Sequence, residues 1–390
     1  MKEDVLNPNR WEYQIIERQL KDVDEKTEFT SSKMENCQTR ISSFNLYKYL
    51  KVKFGPPNGM IMLLKNNTSD NLIHWHYSFT NSDDTSRICF LGKTSGLEIL
   101  IKMPLGNTFD EEDWNILFDA IEKEIKKFPK EIQEIQDGFE EWTLFINPFT
   151  RVEEILQESI TELEKLDLED FSSKNLNTQD GVRAYTDKLE KWIGQISKAA
   201  SLGTVIRMLS PVMAESFINL VIFVFRREEF LKDERLYESL IRQPIDIRVK
   251  MLHMNCTCFS KEIDCSSKAF KDFHTLMNKR NDFLHGNVDP YKMQVEKVWF
   301  DQYNIPLFEK DEGIIKKTMK NYCTNVERDT AIRDFDIVSN LIELILMSMK
   351  DEPANFFIQF MEDKMPGINN KTKRLGVLFS TKIMAEGFAY

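Results

Sequence analysis

At 390 residues, with 42% hydrophobic side chains and 28 phenylalanines, the chain exceeds one ordinary core and carries material for two or more domains. A net charge of −11 excludes a protein that coats nucleic acid along a basic track, since neutralising a run of phosphates needs clustered cations. The acidic excess lies in residues 1–200 and the rest is balanced, which leaves room for a local phosphate-binding cleft in the second half.

Residues 1–40 are polar and alternately charged, with an amphipathic stretch near Trp11 to Leu20. From Phe44 to Met103 the pattern changes to short β-type runs. Tyr47 to Phe54 alternates with period two, as a half-buried strand does. Gly59 to Leu64, His74 to Phe79, Ser86 to Leu91 and Leu97 to Ile101 read as further strands. Turn-forming Gly55-Pro56-Pro57-Asn58-Gly59 and Asn81-Ser82-Asp83-Asp84 lie between them. These runs predict a small antiparallel sheet domain over residues 1–110.

Helical periodicity begins at Asp110, where Asp110-Glu111-Glu112-Asp113 puts negative charge on a helix N-terminus. Helices are expected at Glu111–Phe128, Lys130–Glu140, Val152–Leu166 and Gln179–Ser197, a helical connecting region over 111–200. Ser210-Pro211 reads as the cap and first residue of a long apolar helix reaching Arg226. Its apolar run to Phe225 is too short to span a bilayer, which needs about 20 apolar residues, and it contains Glu215 and Asn219, so no membrane is implied. Glu234–Ile241, Asp246–His253, Ser266–His285 and Ile332–Met349 complete the helices, with a strand at Val295–Phe300. The fold class is mainly α with a β-containing N-terminal domain, α+β overall: a helical domain over 201–350 and a C-terminal extension over 351–390. The N-terminus has no apolar stretch after its charges, and six cysteines in so long a chain fit a reduced, cytoplasmic protein.

The segment Lys279-Arg280-Asn281-Asp282-Phe283-Leu284-His285-Gly286-Asn287 carries the chemistry. Arginine is a permanent cation shaped for phosphate, and histidine moves protons near neutral pH. At about 100° per residue, Phe273, Met277 and Leu284 form an apolar stripe. His274, Asn278, Asn281 and His285 form a polar one beside it. Arg280 lies on the far edge, about 140° from His285, so on a regular helix the two do not meet. Either His285 swings at the helix end, Arg280 reaches around, or a second subunit completes the site. Glu215 and Asn219 share a polar face of an otherwise apolar helix. Burying them requires a partner: the motif helix with Arg280 or His285, or another cation such as Arg207. Gly286 after a histidine is also an ordinary helix stop.

The pattern Arg280-Asn281-x-x-x-His285 resembles the signature of the HEPN superfamily (higher eukaryotes and prokaryotes nucleotide-binding), over roughly residues 200–350. The resemblance implies an antiparallel helical bundle that forms a homodimer with facing motifs. It also implies a metal-independent endoribonuclease of the kind found in toxin–antitoxin and antiviral systems. Arg280, His285 and Asn281 would be catalytic, with Glu215, Asn219, His274 and Asn278 supporting. His285 would act as base on the ribose 2′-hydroxyl or acid on the leaving 5′-oxygen, and Arg280 would stabilise charge on the phosphate, leaving a 2′,3′-cyclic phosphate. RNA is the implied substrate and a regulatory protein a further partner; no DNA, cofactor or metal is called for. Relatives paired with a nucleotidyltransferase carry a tyrosine two residues after the histidine; here that position is Asn287, the nearest tyrosine being Tyr291. The alternative is a non-catalytic bundle that binds a nucleotide or a protein, which the acidic charge favours.

Other candidates rank lower. His253, Cys256, Cys258 and Cys265 offer four soft ligands, but Cys-x-Cys is tight for zinc. His74-Trp75-His76 would put two imidazoles on one side of a strand, most simply a sheet surface. Asn67-Thr68-Ser69 is an idle acceptor pattern in a cytoplasmic protein.

Overall fold

The computed structural model describes residues 2–14, 29–34, 40–65, 71–168, 179–285, 297–308 and 328–379. Two units divide the chain: Met1–Leu144 together with Gly367–Tyr390, and Phe145–Pro366.

In the first unit, helix α1 (Lys2–Leu6) and strands β1 (Glu12–Tyr13) and β2 (Phe29–Met34) precede helices α2 (Ser43–Phe54) and α3 (Ile61–Leu64). Strands β3 (Ile73–Thr80), β4 (Arg87–Lys93) and β5 (Gly96–Pro104) follow as a meander, in an antiparallel sheet of order β1-β3-β4-β5-β2. Asn81 shapes the β3–β4 turn by accepting from the backbone N–H groups of Thr85 and Ser86. Helix α4 (Glu111–Ile125) starts with a full capping box between Asp110 and Asp113, and α5 (Pro129–Asp137) has proline in its first turn. Leu46, Tyr49 and Leu50 of α2, and Trp114, Leu117, Phe118 and Ile121 of α4, share one core with Tyr77, Phe79, Phe90, Ile99 and Ile101 of the sheet. Strand β6 (Trp142–Leu144) pairs antiparallel with the returning segment Gly367–Asn369, Leu144 opposite Gly367, and Leu375–Gly376 adds a third short strand.

The mixed α and β character of this half and its antiparallel sheet agree with the sequence. The period-two run Tyr47–Phe54 does not form a strand. It is helix α2, capped by the Ser42 hydroxyl on the Asn45 N–H and ended by Gly55 at φ +83°. Leu46, Tyr49 and Leu50, at i, i+3 and i+4, are the buried stripe of this helix, and the cap selects it over the alternation. Gly59–Leu64 likewise holds the short helix α3. The pair His74 and His76 is not a sheet surface: a β-bulge sits between Ile73 and Trp75, and His76 is buried.

The second unit is predominantly helical: α6 (Pro148–Glu164), α7 (Gln179–Phe225), α8 (Glu228–Lys232), α9 (Glu234–Ile241), α10 (Ile245–Asn255), α11 (Lys268–Leu284), then hairpin strands β7 (Val298–Phe300) and β8 (Pro306–Phe308), α12 (Arg328–Leu346) and α13 (Asp351–Glu362). Asn147 caps α6 on the Phe149 N–H, while its amide donates to the carbonyls of Met361 and Asp363 beyond α13. Helix α7 is one continuous 47-residue element with Pro211 inside it, so Ser210-Pro211 does not open a new helix. The Ser210 hydroxyl instead donates to the Ile206 carbonyl at 2.7 Å. Burial of Ile206, Met213, Phe217, Ile218 and Val221 against α6 and α12 offsets the hydrogen bond that proline forfeits. This helix is long and apolar enough to cross a membrane by composition, yet half of its most apolar window is buried inside the protein.

The turn at Gly286–Pro290 with Asn287 and Tyr291, the pattern at Asn67, most of Trp11–Leu20, Cys37 and Cys323 lie outside the described residues.

Candidate functional site

Ser267 begins the motif helix, its hydroxyl accepting from the Phe270 N–H. Phe270, Phe273 and Leu276 turn inward and are buried, and α11 packs on α12 and α7. Leu284, expected on this apolar stripe, is 56% exposed. The buried face is therefore rotated toward Leu276, away from the last turn.

The cleft beside α11 holds about 210 Å³ and is closed on its other side by Pro244, Ile245 and Asp246 at the start of α10. His274, Asn278, Arg280 and Asn281 all line it, so four of the seven candidate residues converge. Asn278 and His274 approach within 3.4 Å through Nδ2 and Nδ1. Arg280 Nη1 donates to Asn281 Oδ1 at 3.3 Å, while its Nε is shielded from solvent without a hydrogen-bond partner among the described residues. The rest of the guanidinium shares a cleft with three polar side chains, where it can meet an anionic oxygen.

His285 stands apart from this cleft. Its backbone N–H continues the helix onto the Asn281 carbonyl at 3.0 Å, which keeps the imidazole on the helical wheel about 140° from Arg280. The residue is exposed, one turn beyond the cleft on the face of Asn278 and Asn281.

Glu215 and Asn219 do come together, but on a different arginine. Both accept from Arg248 of α10, a side chain only 4% exposed. Arg207 binds Asp334 of α12 instead, Nε to carboxylate at 2.8 Å. Glu215 and Asn219 thus hold α10, whose first turn walls the cleft, and reach neither Arg280 nor His285 through a hydrogen bond among the described residues. Arg248 was missed because nothing in its local sequence marks an arginine on a half-buried helix as the partner of a distant acidic stripe.

Cys256 and Cys258 are buried free thiols, both pushed up by burial, the second to about 12. His253 faces Glu262 at 3.4 Å, and among the described residues no group of three His, Cys, Asp or Glu side chains could hold a metal ion. Comparison of the chain with family models, with curated proteins and with solved structures found no match.

Proposed function

We propose that the chain is a metal-independent endoribonuclease of HEPN type, whose site is completed by a second copy of itself. The observation that carries this reading is the cleft that Arg280 lines together with Asn281, Asn278 and His274. Arg280 and Asn281 of one copy would hold the scissile phosphate, and His285 of the other would handle the proton. Exposure of His285 and its angular separation from Arg280 support division of the site between two copies. His285 takes the 2′-hydroxyl proton, the 2′-oxygen attacks phosphorus, and the bond to the 5′-oxygen breaks as that oxygen regains a proton. The products are a 2′,3′-cyclic phosphate and a 5′-hydroxyl. A role as a stress or phage-defence effector goes with this reading.

The test is RNA cleavage with EDTA present. Arg280→Ala is expected to lower the rate by about 10²–10³-fold and His285→Ala by about 10²–10⁴-fold. Mixing the two inactive variants should restore cleavage, because a mixed pair contains one intact Arg280–His285 site. Failure of the mixture to recover, with parent activity present, removes the composite site. The acidic charge favours a second reading, a bundle that binds a nucleotide or a protein without turnover; parent protein that binds RNA or nucleotide but leaves it intact would decide for it.

A further inference from the structure

The first unit carries a groove of about 1000 Å³, remote in sequence from the motif helix and lined by aromatic rings and carboxylates. Phe44 and Tyr47 of α2, Trp75 of β3, and Phe139 and Trp142 around β6 supply the rings. They lean on one another: Tyr47 lies 5.5 Å from Trp75 and 6.3 Å from Phe139, and Phe44 lies 6.0 Å from Phe139. Such mutual packing builds the wall before any ligand arrives, so little ordering cost remains for binding. Phe44 stays 50% exposed, and Phe139 is also open to solvent.

Asp137, Glu140 and Glu141 line the same groove. Neutral donors fix two of them: Gln133 Nε2 on Asp137 at 2.7 Å and Asn370 Nδ2 on Glu141 at 2.8 Å. Among the described residues neither forms an ion pair, so their charges are oriented and not cancelled. Glu140 shows what the groove accepts. It takes the Arg374 guanidinium at 3.0 Å, and that guanidinium lies 5.2 Å above the Trp142 ring. Lys51 hangs 5.7–5.8 Å over Phe139 and Tyr47, and Lys48 sits 4.0 Å over Phe44 while donating to Gln136. The chain's own cations already use these ring faces.

We infer that this groove binds a basic peptide segment of a partner protein, with arginine or lysine side chains set between the rings and the Asp137–Glu141 carboxylates. The groove is open and lies at the upper end of the range of about 300–1000 Å³ for small-molecule pockets, which suits an extended segment over one enclosed cation. Carboxylates on the wall repel a phosphate backbone, which sets nucleic acid aside. The inference does not rest on the ribonuclease reading, since binding is measured without cleavage.

The test is fluorescence anisotropy on the full chain with three labelled probes: an alternating arginine–leucine hexapeptide, its glutamate–leucine counterpart and a single-stranded RNA hexamer. The arginine peptide alone should bind. Replacing both carboxylates by isosteric amides, Asp137→Asn with Glu141→Gln, retains the oxygens that Gln133 and Asn370 bond and should weaken it about ten-fold. Lys51→Ala removes the internal competitor and should tighten the arginine peptide about three-fold. Thermal melts that match the parent show that these surface changes leave the fold intact. Preferred binding of RNA or of the glutamate peptide, weakened by Lys51→Ala, overturns the proposal, as does absence of binding by the arginine peptide at millimolar concentration.

Discussion

His76 lies against Gly59, whose backbone N–H donates to the His76 carbonyl at 2.8 Å, and neither ring nitrogen has a hydrogen-bond partner among the described residues. Burial lowers its pKa to about 4, and burial with the nearby Lys65 cation also lowers that of His74. A depressed histidine favours the neutral form in the folded state, so the unfolded chain binds more protons between about pH 4 and 6.5. Stability is then fully present above pH 6.5 and falls as pH drops toward 4, by about 3 kcal/mol for His76. Urea titrations at pH 7 and pH 5 should show the loss, and His76→Phe should flatten it; an unchanged slope in that variant would assign the effect elsewhere. Gly92 faces Trp75 across β3 and β4, and a Cβ there would run into the indole. Gly92→Ala should therefore cost about 1–3 kcal/mol and shift tryptophan emission, because Trp75 must leave its place in the aromatic groove. An alanine variant with parental melting and emission would show that the indole moves aside freely.

At the scale of elements, buried cations couple the helices of the second unit. Arg248→Ala leaves Glu215 and Asn219 without their donor and a void under α10, for an expected loss of about 3–5 kcal/mol in chemical denaturation. Arg248→Met, which fills the void, should lose less. Equal losses would mean that the ion pair, not packing, sets the position of α10. These couplings also mark where sequence reading stops. The limits of α9 and α10 and the start of α4 were legible because caps, proline and apolar spacing are local signals. Helix α2 was not, since the polar–apolar alternation of Tyr47–Phe54 masks the helical stripe of Leu46, Tyr49 and Leu50 until Ser42 is recognised as a cap. Pro211 signalled a boundary that tertiary burial overrode. At the site, the shared face of His274, Asn278 and Asn281 followed from spacing along one helix, whereas Arg280, placed on the far edge by the same spacing, lines their cleft all the same. The opposing wall from Pro244 to Asp246 was not legible, because it depends on how α10 packs.

On the scale of the whole molecule, the helical unit is an insertion. The chain leaves the first unit along β6 and returns along Gly367–Asn369, its direct antiparallel neighbour, and the Phe145 N–H meets the Pro366 carbonyl at 3.0 Å. Excising residues 145–366 and joining Leu144 to Gly367 through a two-residue Asn-Gly turn should give a protein that melts cooperatively, since a hairpin turn spans that register. Circular dichroism and a thermal melt would check this; a non-cooperative product would show that the first unit depends on the insertion. The same connectivity fixes an order of events on the ribosome. Synthesis at about 5–20 residues per second brings out the Gly367–Asn369 strand roughly 10–50 s after β6. Throughout that interval the edge of β6 waits without its neighbour, while the whole helical insert is made and can fold. The first unit to begin synthesis is thus the last to be finished.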